Sequence, residues 1–273
     1  MLRLSSSSRL ARRALPLAVL VIALGAAACA GRAPINPPAD APEPDKYLYD
    51  QGMAQLGNKK WLTAREYLRR LVDGYPQSTY RADAKLAIGD TFLGENTPEA
   101  QVYALNEFRE FLTFFPTHAR ADYAQFRLAM SHYQQMNAPQ RDQTNTRDAI
   151  REFEAFVERY PASKLRPDVE AKLRDARDRV GRADYEVGLH YYRMKWYPGA
   201  IDRFTALLER DPKFSDRDAV YFYMGEILSA KEVNRAAEAL PYYDRIVKEF
   251  EKSEYLERAV KRIAAMKAGP GKI

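Results

Sequence analysis

From Asp45 onward, apolar residues recur every three or four positions, as in AREYLRRLVDGYP and AIREFEAFVERYP. That spacing puts them on one face of an α-helix, because 3.6 residues make a turn. Glycine and proline are sparse, and Ala, Leu, Arg and Glu, which enter helices at little cost, are plentiful. A longer pattern overlies the helical one. An alanine is followed by Leu or an aromatic residue four positions on, an apolar residue three further, and a proline five further. The pattern appears as Ala64, Leu68, Leu71, Pro76, as Ala104, Phe108, Phe111, Pro116, as Ala149, Phe153, Phe156, Pro161, and as Ala200, Phe204, Leu207, Pro212. A fifth copy, Ala239, Tyr243, Ile246, has Glu251 where proline stood.

Each copy is preceded by a second helical stretch whose matching position is small: Gly52, Gly89, Ala129, Gly188 and Gly225. A small residue lets two antiparallel helices approach closely, with the alanine as its partner and the aromatic filling the space beside them. Proline then stops the second helix. At these signature positions the chain resembles the tetratricopeptide repeat (TPR) family. The resemblance implies an all-α, right-handed superhelix of five TPR-like helix pairs over residues 46–267, closed by a C-terminal capping helix and a short tail, 268–273.

The proline-to-proline spacings are 40, 45 and 51, against about 34 for an ideal repeat. The extra residues are expected in loops at GENTPEAQ and QQMNAPQRDQTNTRDA, with Thr146 as N-cap of a helix opening at Arg147. The fourth copy gains about fourteen residues, almost four turns, which keeps the same face inward. One long helix from about residue 168 to 194 is predicted there, with Pro167 in its first turn. Its acid-first pairs, Glu170–Arg174, Asp175–Arg179 and Asp178–Arg182, read as a solvated face.

The first 28 residues have another character. Arg3, Arg9, Arg12 and Arg13 precede the fifteen-residue apolar run ALPLAVLVIALGAAA, which ends at Cys29, the only cysteine. The run is shorter than the roughly 20 residues that span a bilayer. A basic start, short apolar core and small-residue exit make an export signal. The cysteine after Ala27 and Ala28 resembles the lipobox of bacterial lipoproteins, although Ala26 stands where leucine is usual. The resemblance implies lipid attachment at Cys29; the other reading is a secreted protein with an incidental cysteine. Ala30 in place of an aspartate fits the outer membrane. Residues 29–45 carry five prolines, too few large apolar residues to form a core, and read as a flexible tether.

Charge changes little in this picture. The formal net charge is +6, but four of the 43 basic residues leave with the signal, so 39 face 37 acidic ones. That balance and export argue against a nucleic-acid partner. Chemistry is thin as well. His118, His132 and His190 are far apart in sequence, and no metalloprotease, nucleophile-elbow or phosphate-loop motif occurs. No enzyme activity, cofactor or metal is expected.

Signal, lipobox, tether and five repeats together resemble the BamD family of outer-membrane barrel-assembly lipoproteins. The most specific match is QRDQTNTRDAIREFEAFVERYPASK, residues 140–164, with YPQSTYRADA at 75–84 and AIDRFTALLERDP at 200–212. DPKFS and FEKS, at the last two exits, depart from it. The resemblance implies a lipid-anchored protein on the periplasmic face of the outer membrane. It would dock on the POTRA region of BamA, bind unfolded outer-membrane barrel proteins with aromatic C-terminal signals, and leave room for further assembly lipoproteins. It places Arg203 at the BamA contact. From the residues, Tyr49, Met53, Tyr123, Phe126, Met130 and Tyr133 line the inner face of repeats one and three, an adaptable surface for an aromatic peptide. Packing between repeats is the other use for them. A lipidated TPR adaptor for pilus assembly or for cell-wall and division machinery is the alternative function.

Overall fold

The computed structural model describes residues 35–268, and Cys29 with the rest of the signal and the final five residues lies outside them. Among the described residues there are eleven helices and no strand. They pair as α1 (Pro44–Gly57) with α2 (Trp61–Gly74), α3 (Arg81–Glu95) with α4 (Pro98–Phe114), and α5 (Ala121–Tyr133) with α6 (Thr144–Arg159). Then follow α7 (Arg166–Arg193) with α8 (Tyr197–Arg210), α9 (Arg217–Leu228) with α10 (Ala236–Glu249), and the cap α11 (Leu256–Ala268). Each helix packs on the next in the chain, the arrangement of a TPR-like superhelix.

The repeated frame is the core. Its five alanines, its five Leu or aromatic positions and its five following apolar positions are all at most 1% exposed. Chance similarity would not bury every one of them. The small residue serves the aromatic more than the alanine. A Cβ on Gly89, Gly188 or Gly225 would fall 2.5–2.6 Å from a ring carbon of Phe108, Phe204 or Tyr243, and one on Gly52 would fall 2.7 Å from Leu68. Each ring packs against bare helix backbone, where it removes its area from water, a gain of about 1.5–3 kcal/mol per side chain.

A serine two positions into the exit fastens the turns of repeats one, three and five. Ser78 Oγ donates to Asp45 at 2.7 Å, Ser163 to Asp122 at 2.6 Å and Ser253 to Asp218 at 2.6 Å, so each loop is tied to the first helix of its own repeat. The same hydroxyl accepts the N–H two residues on, from Tyr80, Leu165 and Tyr255. In repeat two His118 Nδ1 accepts from the Arg120 N–H, and the Arg120 guanidinium reaches Asp83 at 2.9 Å. At the exit of α8 the DPKFS departure has a physical reason. Phe214 is fully buried against Gly181, and Ser215, one position later than usual, bonds Asp178 in the middle of α7. At the exit of α10 the helix ends at the same offset without proline, since Phe250 N–H still closes on Ile246 O at 3.0 Å.

The predicted long helix is present, with Pro167 in its first turn, but its charges point elsewhere. Arg174 bonds Asp211 and Asp178, Arg182 bonds Asp216 and Arg177 bonds Glu154, while Asp175 accepts from Tyr133. The three expected acid-first pairs do not form, because Glu170 is taken by Arg166, Arg174 by Asp178 and Asp211, and Arg182 by Asp216. Other expectations also change. GENTPEAQ is a two-residue turn, Asn96–Thr97, with Thr97 accepting from Ala100 N–H as N-cap. α6 opens at Thr144, and Thr146 is buried inside it, donating to Gln143 at 2.8 Å, so it is no cap. The tether is not free to its end, because Ile35 packs on the first core cluster. Apolar clusters stop at Leu173 on one side and resume at Tyr185 on the other, so α7 joins two lobes.

Candidate functional site

All six predicted groove residues are half-buried, each with part of its surface in packing and part open. Tyr49 stacks on Tyr80 from the next turn, ring centroids 5.1 Å apart, and Met53 lies against the same cluster. Tyr123 donates its hydroxyl to Asp90 of α3 at 2.8 Å and lies beneath the guanidiniums of Arg120 and Arg127, 4.7 and 5.7 Å from its ring centre. Arg127 completes the cluster with a 2.8 Å bond to Asp90. Phe126 and Met130 pack on the core of repeat three. Tyr133 donates to Asp175 of α7 at 2.8 Å and sets its edge against Phe153.

Tyr123 and Tyr133 therefore span the seams between repeats two and three and between three and four. Groove and packing are the same residues here. Burial, then the bond to Asp175, pushes the Tyr133 hydroxyl up to about 12. Burial raises Tyr123 further, with Asp90 adding to it. Both phenols stay neutral across the physiological range, so the rings present an uncharged surface whose orientation is fixed by the hydroxyl bonds.

The second lobe carries a set that the sequence reading passed over. Tyr185, Tyr192, Tyr223 and Tyr255 form a half-buried cluster, with Tyr192 and Tyr223 5.0 Å apart and Tyr223 and Tyr255 6.0 Å apart. Counting three before and four after Gly188, as Phe126 and Tyr133 are counted from Ala129, finds Tyr185 and Tyr192 directly.

Arg203 projects from α8 with 49% of its side chain exposed. Its Nη1 is 3.8 Å from Asp184 of α7, and Asp184 is held more closely by Arg210. One hydrogen-bonding face of the guanidinium thus remains free. Beside it a cleft of about 590 Å³ runs between α6, α7 and the α8 exit, floored by Ile150, Val180, Gly181 and Pro212. Fourteen extra residues in α7 hold α6 and α8 apart and so create it.

Little in the described residues suggests chemistry. His132 is buried between α5 and α6 with both ring nitrogens lacking a hydrogen bond, and burial pulls its pKa down. Among the described residues no group of three His, Cys, Asp or Glu could hold a metal, and no helix is long and apolar enough to cross a membrane.

A family model described as YfiO, outer membrane lipoprotein, matches residues 41–226. The chain belongs to this family. An outer membrane protein assembly factor BamD of Caulobacter vibrioides is 26% identical over 227 residues, covering 83% of this chain and 73% of the relative. One from Rickettsia prowazekii is 26% identical over 193 residues, covering 70% and 74%. A solved thermophilic TPR protein of Thermus thermophilus is 16% identical, covers 82% of this chain and 99% of that one, and superposes with a TM-score of 0.36. The YfiO match takes in the six groove residues and Arg203, and it stops inside α9. α10 and α11 therefore lie beyond the family span.

Proposed function

We propose that this YfiO-family chain is a non-catalytic lipoprotein of the outer-membrane β-barrel assembly machinery. In this reading a lipid on Cys29 holds it at the periplasmic face of the outer membrane. Unfolded barrel precursors bind on the aromatic and methionine faces of α1 and α5, and Arg203 docks on the POTRA region of BamA. Family membership and the naming of the relatives support a role in outer-membrane protein assembly, and they favour it over a pilus or division adaptor. The observation that carries the binding mode is the pair Tyr123 and Tyr133. Their hydroxyls are tied to Asp90 and Asp175, which fixes two half-open rings on one helix face. An extended peptide with aromatic side chains can stack on such rings with little ordering of the protein.

The test separates ring from hydroxyl. Tyr123→Ala with Tyr133→Ala should weaken binding of an aromatic-ended barrel peptide by at least about tenfold, or 1.4 kcal/mol. Tyr123→Phe with Tyr133→Phe should keep binding while losing about 1 kcal/mol of stability per hydrogen bond. Binding that falls in step with stability in both pairs would return these residues to repeat packing alone.

A further inference from the structure

Two of the large apolar side chains left exposed stand two positions apart at a single tip, the turn between α7 and α8. Met194 is 68% exposed and Trp196 54%. Trp196 is not a loose side chain. Tyr191 meets it edge-on with centroids 4.5 Å apart, and Gly199 lies beneath it, where a Cβ would come within 2.7 Å of the indole. The fold seats one side of the ring and leaves the other to solvent. Around it Arg193 and Lys195 make no ion pair among the described residues. The carboxylates that share its groove, Asp202 and Glu232, make no ion pair with Lys195.

The backbone adds a second observation. Lys195 has φ 58°, in the left-handed region, and so has Lys59 at the matching turn of repeat one, with φ 57°. Repeats two and five place Asn96 and Asn234 in this region, each at φ 52°. Asparagine tolerates this conformation better than lysine does. Lysine at the tip thus stands where asparagine would suit the backbone better.

A seated tryptophan, an exposed methionine and two cations on one turn match the interfacial layer of an anionic bilayer. Indole rings settle at headgroup level, and each basic residue is drawn to acidic lipid. We propose that the α7–α8 tip, residues 193–196, is a contact for the surface of an anionic phospholipid membrane. The inference rests on the lipoprotein reading of Cys29. Ile35 packs on the first core cluster, so only residues 30–34 lie between Cys29 and the folded part, and the anchor would hold that part within about 20 Å of the bilayer.

The chain from residue 29 onward, carrying Cys29→Ala so that no acyl chain decides the result, is mixed with vesicles. In a Trp61→Phe background Trp196 is the sole tryptophan. With phosphatidylglycerol vesicles its emission should move to shorter wavelength and be quenched by brominated acyl chains, and added salt should weaken both effects. Lys195→Asn suits the backbone better, yet should lower partitioning about fivefold, and adding Arg193→Glu should lower it further. An unmoved spectrum, or equal binding to phosphatidylcholine, overturns the inference. So does a spectral shift produced by a soluble POTRA fragment and not by vesicles, which would assign the tip to a folded partner. Barrel-peptide binding measured on the same variants should be unchanged, so failure here is distinguishable from failure of the precursor-binding reading.

Discussion

Gly188→Ala sets two known effects against each other at one atom. Alanine in place of a helix-interior glycine gains about 1 kcal/mol from backbone entropy. The added Cβ, however, would lie 2.5, 2.8 and 3.0 Å from three ring carbons of Phe204. Ordinary carbon contacts are about 3.5–4.0 Å, so the ring or the helix must shift by about 1 Å. Phe204 is fully buried and Tyr185 packs 5.9 Å away, so the ring has no free direction. Overpacking of this kind costs about 1–3 kcal/mol. Repeat three bounds the loss from above, since it accommodates Ala129 near Phe153. The net expectation is a loss of up to about 2 kcal/mol, or a fall of about 2–4 °C in Tm per kcal/mol at this chain size. Gly57→Ala is the control, because a Cβ there meets nothing within 4 Å and it should be neutral or stabilising. Urea unfolding followed by far-ultraviolet circular dichroism gives the comparison. Gly188→Ala combined with Phe204→Leu should cost less than the two changes summed. A Gly188→Ala protein more stable than the parent by the full glycine-to-alanine gain of about 1 kcal/mol would refute close ring-on-glycine packing as the organising contact of the repeat.

Asp45 is held below its ordinary value by the Ser78 hydrogen bond. Its lowered folded pKa contributes stability that is present above the unfolded value and lost as pH falls through the folded one. Asp45→Asn should therefore lose less stability than the parent between about pH 5 and pH 2, as read by urea midpoints. Arg203→Glu should cut affinity for an isolated POTRA fragment at least about tenfold by calorimetry, with the melting temperature unchanged because Arg210 still neutralises Asp184. Unaltered affinity would remove Arg203 from the interface. Cys29→Ser should abolish fatty-acid labelling and release the protein from membranes, because the thiolate is the far better nucleophile. Continued labelling would end the lipobox reading.

The helix pairs, their order and the fifteen buried positions of the repeated frame could be read from the chain alone. Helical period and the Ala, aromatic, apolar frame are local, and each repeat restates them, so five copies correct one another's noise. The Cys29 reading is local in the same sense, and it lies outside the described residues. What the sequence could not rank was competition among partners. Arg174 had Glu170 within its own helix and instead bonds Asp178, one turn on, and Asp211, which the α8 exit turn brings against α7. Thr146 had the composition of a cap and is buried beside Gln143, because the ten-residue turn before α6 folds back on itself. Tyr123 and Tyr133 could be placed on a helix face by counting. Only the stacking of repeats decided that each would reach a carboxylate on a neighbouring element and become both seam and surface. Periodicity belongs to single helices, whereas seams, clefts and seated side chains depend on how far and at what height one helix pair sits on the next, and in this chain α7 sets that offset.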